Sequence, residues 1–222
     1  MKNMLCLICL AVLIGGCSFN QRPAWIIVGE RRLDSFKTNY LTDARDFSVE
    51  SNFKKAVEEI KKSGGLDLLE KAWLTRMALQ GAVLKEMDEG DYREIAAVEP
   101  VPENENFYKF LKGDISDVDI KLLPEQYRGF LSAVLEEDVL NAGREIASMK
   151  EEPVSRLVAA GIAVRRNLES EAIIQTAVET ASVNGWKMAL IVWLERLSAF
   201  YEAEGEADKA ADVRRRVELI EK

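Results

Sequence analysis

The chain has 222 residues, a formal net charge of −8, and 48% apolar, 31% charged and 8% aromatic side chains. That balance suits one globular domain or two small ones, is too apolar for a disordered chain, and can bury roughly 70% of the surface the unfolded chain exposes. There is no histidine, which excludes Ser-His-Asp and Cys-His catalysis, His-ligated metals and His-based pH switching, and the acidic balance argues against nucleic acid, which needs a basic footprint.

The first segment reads as an address. Lys2 supplies a charged start, Met4 to Ile14 is an apolar run of 11 residues, and Gly15-Gly16-Cys17 follows. A run this short does not span a hydrocarbon core of about 30 Å as a lasting helix; it fits the apolar region of a signal peptide. Ile14-Gly15-Gly16-Cys17 resembles the lipobox of bacterial lipoproteins. The resemblance implies that residues 1–16 are removed and that Cys17 becomes the first residue of the mature chain and carries the lipid, palmitate included. Cysteine usage agrees: Cys6 and Cys9 lie in the leader and Cys17 at its end, so the mature chain keeps no other thiol. Ser18 stands where an Asp would retain such a protein in the inner membrane, so the resemblance implies a bacterial envelope protein on the periplasmic face of the outer membrane. Residues 17–24 form a membrane-proximal tether, and the seven residues after Cys17 reach at most about 25 Å. Loss of Lys2 takes the net charge to −9, so the lipid, and not a basic patch, is what holds the chain to a membrane.

From residue 25 onward the pattern is helix after helix. Trp25-Ile26-Ile27-Val28 is the one run that could make a strand; the simpler reading is a first helix carrying Leu33, Phe36, Tyr40 and Leu41. Residues 43–62 place Ala44, Phe47, Phe53, Ala56, Val57 and Ile60 at helical spacing, with Glu–Lys pairs four apart on the other side. Ser63-Gly64-Gly65 ends that helix. Asp67 and Glu70 look like a capping box, and the next helix is expected to run to about Met87. Residues 88–112 are less regular: Pro100 and Pro102 break helices, short helices are expected near 92–97 and 104–112, and the stretch is a candidate boundary between two sub-halves. Pro124 and Pro153 suit helix starts. Helices are then expected over 124–136, 138–149, 153–166, 167–181, 186–204 and 206–221, with Asn184-Gly185 and Gly205 as stops.

Leu197-Ser198, Tyr201, Gly205 and Ala210 resemble one tetratricopeptide repeat, in which a small residue after Leu lets two helices approach, an aromatic follows, and a small residue recurs on the second helix. Arg214 and Val217 depart from that pattern. The fold expected over 25–222 is all-α: an irregular helical array with tetratricopeptide-like pairs at least at the C-terminus.

Chemistry is sparse. Asp114, Asp117, Asp119 and Glu125 hint at a calcium loop, but Val118 and Asp119 stand where an oxygen ligand and a glycine belong; helix-capping acids are the better account. There is no phosphate-binding glycine loop and no nucleophile elbow. All-α enzymes that cut peptidoglycan carry Glu-Ser and Gly-Leu-Met-Gln segments; Glu50-Ser51 and Glu169-Ser170 occur here without the second. Arg214-Arg215-Arg216 reads as a solvated helix end. Phe107, Tyr108 and Phe110 either line a groove or, as the favoured reading, plug the space between sub-halves. No catalytic residue, metal ligand or cofactor site is expected. The expected role is a lipid-anchored envelope scaffold or interaction module for protein partners. The alternative is an envelope enzyme or small-ligand binder using carboxylates in an enclosed pocket.

Overall fold

The computed structural model describes residues 22–43, 47–149 and 151–222. The leader, Cys17 and most of the tether lie outside the described residues. Those residues form eleven α-helices and no strand: α1 Ala24–Thr42, α2 Phe47–Lys61, α3 Leu66–Ala82, α4 Gly90–Ala96, α5 Pro102–Lys112, α6 Glu125–Leu135, α7 Val139–Ser148, α8 Pro153–Arg165, α9 Glu171–Val183, α10 Lys187–Ala203 and α11 Ala207–Glu221, with 3-10 turns at Ile115–Asp117 and Ile120–Leu122. The fold is an all-α helical array.

Local chemistry accounts for most boundaries. Pro102 and Pro153 open their helices, where a missing N–H costs nothing. Asp138 and Ser170 cap α7 and α9 by accepting from the Asn141 and Ile173 amides at 3.0 and 3.4 Å. Several helices end in a left-handed residue followed by a backbone bond five residues back. Gly113, Gly185 and Gly205 take that position, with Asp114, Trp186 and Glu206 donating to the carbonyls of Lys109, Ala181 and Tyr201. Leu84, Glu137 and Asn167 do the same without glycine.

Two boundaries differ from expectation for this reason. The helix expected to reach Met87 stops at Ala82, because Leu84 turns left-handed and Lys85 donates to Gln80. The helix expected from Asn167 starts at Glu171, because Asn167 closes α8 and Ser170 caps α9. The capping box at Asp67 is also corrected: Gly65 is the N-cap of α3, with no side-chain cap, and Glu70 points inward.

One apolar cluster runs through the array. α1 and α2 pack as a pair, as do α6 and α7, and α10 lies between α9 and α11 while also touching α1. α3 packs on α8 at close range, so the helices on either side of residues 88–112 share this interface. A Cβ on Gly161 would sit 2.3 Å from the Gly81 carbonyl oxygen, so only glycine allows the contact. One residue further along α3, the Ala82 carbonyl accepts the Trp193 indole N–H at 2.9 Å, across 111 residues of sequence. Trp193 is wholly buried, and side chains of that size contribute about 3–5 kcal/mol when buried.

In the C-terminal pair, the buried Ser198 hydroxyl donates to the Ala210 carbonyl at 3.1 Å, and Leu197, Tyr201, Ala210 and Val217 are buried. Tyr201 ties the pair to α9 by donating to Glu171 at 2.6 Å. Arg214, exposed, pairs with Glu202.

Candidate functional site

The most apolar built surface near the expected aromatics is a cleft of about 270 Å³ between α4 and α5. Tyr92, Ala96, Ala97, Pro100, Val101 and Tyr108 form its walls, and Arg93, Glu105 and Lys109 its rim. The prolines that make 88–112 irregular also make the cleft: Pro100 lies between the two helices and Pro102 starts the second. Beside it Val98 stands 74% exposed.

Tyr92 and Tyr108 stack with centroids 4.8 Å apart and planes 23° from parallel. The Tyr108 hydroxyl donates to Glu89 at 2.7 Å and accepts from Arg93 at 2.9 Å. Glu89 also pairs with Arg93 at 2.7 Å and with Lys112. The hydrogen bonds from Lys112 and then Tyr108 hold its carboxyl below the usual range.

Behind the cleft lies Glu70, the one buried acid among the described residues. Glu70 is 0% exposed; its Oε2 accepts from the Asn104 amide at 2.8 Å, and that amide also donates to the Asp67 carbonyl at 3.1 Å. Its Oε1 and the Tyr92 hydroxyl have no hydrogen-bond partner among the described residues. Burial pushes the Glu70 carboxyl up, and the Asn104 hydrogen bond only partly opposes it. Burial, and then the charge of Glu70, push the Tyr92 hydroxyl up as well. Spacing did not reveal this acid, because Glu70 also fits a first-turn capping pattern. Asn104, three residues before Phe107, was equally silent.

The three aromatics singled out in the sequence take different places. Phe110 is fully buried against Phe107, Tyr127 and Phe130. Phe107 is half-buried on the edge of that cluster. Tyr108 alone lines the cleft, so the three do not form a common groove. Phe110 is corrected from groove candidate to core residue: it points from α5 towards α6, away from the Tyr108 face.

Asp119, from the calcium-like stretch, caps a 3-10 turn through the Lys121 amide at 2.8 Å. Its own backbone pairs with the Asn106 side chain at 2.7 and 2.9 Å. Among the described residues no three acids gather to hold a metal, and no helix is long and apolar enough to cross a membrane.

Set against models of known protein families, curated proteins and solved structures, the chain matches none of them.

Proposed function

We propose that this is a lipid-anchored envelope protein, held through Cys17 on the periplasmic face of the outer membrane, whose helical array serves as an interaction or scaffold module for protein partners. The observation that carries the reading is the α4–α5 cleft. It is an open apolar notch with a mixed-charge rim, and the exposed Val98 follows its wall residue Ala97 in the chain, the composition of a site that takes a partner's side chain. Leu135 and Leu140, exposed on either side of the α6–α7 turn, add a second apolar point. The Ser198–Ala210 contact supports the tetratricopeptide-like reading of the last pair, since a small residue there is what brings the helices together.

The acids favour contact over carboxylate chemistry. Glu70 is sealed from solvent and Glu89 is neutralised by Lys112 and Arg93, so the two do not converge on one opening. The small-ligand reading retains one support, the unpaired Glu70 Oε1 and Tyr92 hydroxyl.

Two experiments test the proposal. Palmitate labelling is expected on the full chain and lost in Cys17→Ser. A photo-crosslinker at Val98 in intact cells is expected to capture a discrete protein adduct that the same probe at the exposed Lys55 does not. Equal patterns at the two positions would refute the cleft as the contact site.

A further inference from the structure

A second apolar cleft, of about 280 Å³, opens at the pole where α1 begins, α2 ends and α3 begins. Trp25, Ile26, Gly29, Ile60 and Leu68 line it, and Arg22, the first described residue, sits on its rim. Trp25, Ile26 and Leu68 are half-buried, and Ile27 beside them is 45% exposed. At Gly29 α1 lies against α2: a Cβ there would make ordinary contact, 3.6 Å from the Glu59 Cβ and 3.7 Å from the Ile60 Cγ1.

The charges around this pole differ from those of the chain as a whole. Arg22, Lys61 and Lys62 stand there, paired with Glu30, Glu58 and Glu59. Asp67 and Lys71, at the start of α3, form a further pair, so four cations balance four carboxylates in a chain of net charge −8. The pole is locally neutral, so an anionic surface does not repel it as it would the rest of the body.

We infer that this pole is the membrane-facing surface of the protein, with Trp25, Ile26 and Ile27 seated in the interfacial layer of the bilayer and the basic side chains at headgroup level. The inference rests on the proposed anchoring at Cys17. Only seven residues separate Cys17 from Trp25, and a span of that length reaches at most about 25 Å when fully extended. A lipid on Cys17 therefore keeps this pole within about 25 Å of the bilayer. Tryptophan and basic residues are the side chains enriched at that depth, because an indole is apolar in body and hydrogen-bonding at one edge. Apolar residues left half open at the end of a short tether would then be covered once the lipid inserts.

The test uses full-length, processed protein reconstituted in vesicles of phosphatidylethanolamine and phosphatidylglycerol carrying brominated acyl chains. Bromolipid is expected to quench a share of the tryptophan emission, and that quenched share is expected to vanish in Trp25→Phe. The other three tryptophans, at 73, 186 and 193, keep their emission. Ile27→Asp, which leaves the core untouched, is expected to weaken the quenching with Trp25 in place. A protein that labels with palmitate at Cys17 yet shows no quenching, or the same quenching in Trp25→Phe, overturns the inference and leaves the anchor standing. A protein with no palmitate label overturns the anchor and the inference with it.

Discussion

Replacing Gly161 with Ala puts one methyl group where two helices cross. The new Cβ would lie 2.3 Å from the Gly81 oxygen, 3.1 Å from its carbonyl carbon and 3.7 Å from the Ala82 nitrogen. All three are backbone atoms of α3, so no rotamer change relieves the contact. The helices must part by roughly 1 Å, a gap that forfeits up to about half of each dispersion contact along the seam. Overpacking of this kind costs about 1–3 kcal/mol, and the rigid partner places it at the upper end. Alanine regains about 1 kcal/mol of helix propensity over glycine. The net expected loss is about 2 kcal/mol, or about 4–8 °C in Tm for a chain of this size. Urea unfolding followed by circular dichroism and tryptophan emission measures it. Gly143→Ala, in α7, is the matched comparison: its Cβ would meet only the Ile173 Cγ1, at 3.5 Å. That variant is expected to be neutral or to gain up to about 1 kcal/mol. If Gly161→Ala is as stable as Gly143→Ala, the α3–α8 crossing is not as close as described and the reasoning fails.

Three further outcomes follow from the core and the cleft. Glu70→Gln is expected to raise stability near pH 7 by about 1–3 kcal/mol, the usual scale for relieving an uncompensated buried polar group. Because the folded-state pKa of Glu70 is raised, its ionisation costs stability as pH rises from the unfolded value of about 4.3 through the folded one. The advantage of Gln should therefore fade as pH falls to about 4, and a constant advantage across pH would refute the assignment. Glu89→Gln is expected to behave oppositely. The folded pKa of Glu89 is lowered, so its contribution is present above the unfolded pKa and lost as pH falls through the folded one. The half-exposed partners limit the loss near pH 7 to about 1 kcal/mol, and thermal melts against pH check both variants. Trp193→Phe removes the donor to the Ala82 carbonyl and leaves a void; about 2–3 kcal/mol is expected, read from the urea midpoint, and a loss under 0.5 kcal/mol would speak against that bond.

Much of the array is legible in the chain because its signals are local. Pro102, Pro153, Gly185 and Gly205 mark helix ends by restricting or freeing φ at single residues. Apolar spacing marks buried stripes: Phe53, Ala56, Val57 and Ile60, at helical spacing on α2, are all buried. The same logic fails where the stop residue is not glycine: Leu84 turns left-handed with no residue-type signal for it, and Asn167, which tolerates that region, is a weaker stop signal than glycine.

The candidate site was only half legible. Tyr108 stood out as an aromatic beside prolines, but which of Phe107, Tyr108 and Phe110 faces outward depends on where α6 lies. By itself the sequence determined the all-helical class, most helix ends and the reagent-poor character of the chain, since each follows from residue type and spacing within a turn or two. The tertiary structure alone decided that Gly161 meets Gly81, that Glu70 is enclosed beside Tyr92, and that the starts of α1 and α3 share one pole. Each of these joins residues distant in sequence, and such contacts are selected by the packing of whole helices, which no local pattern encodes.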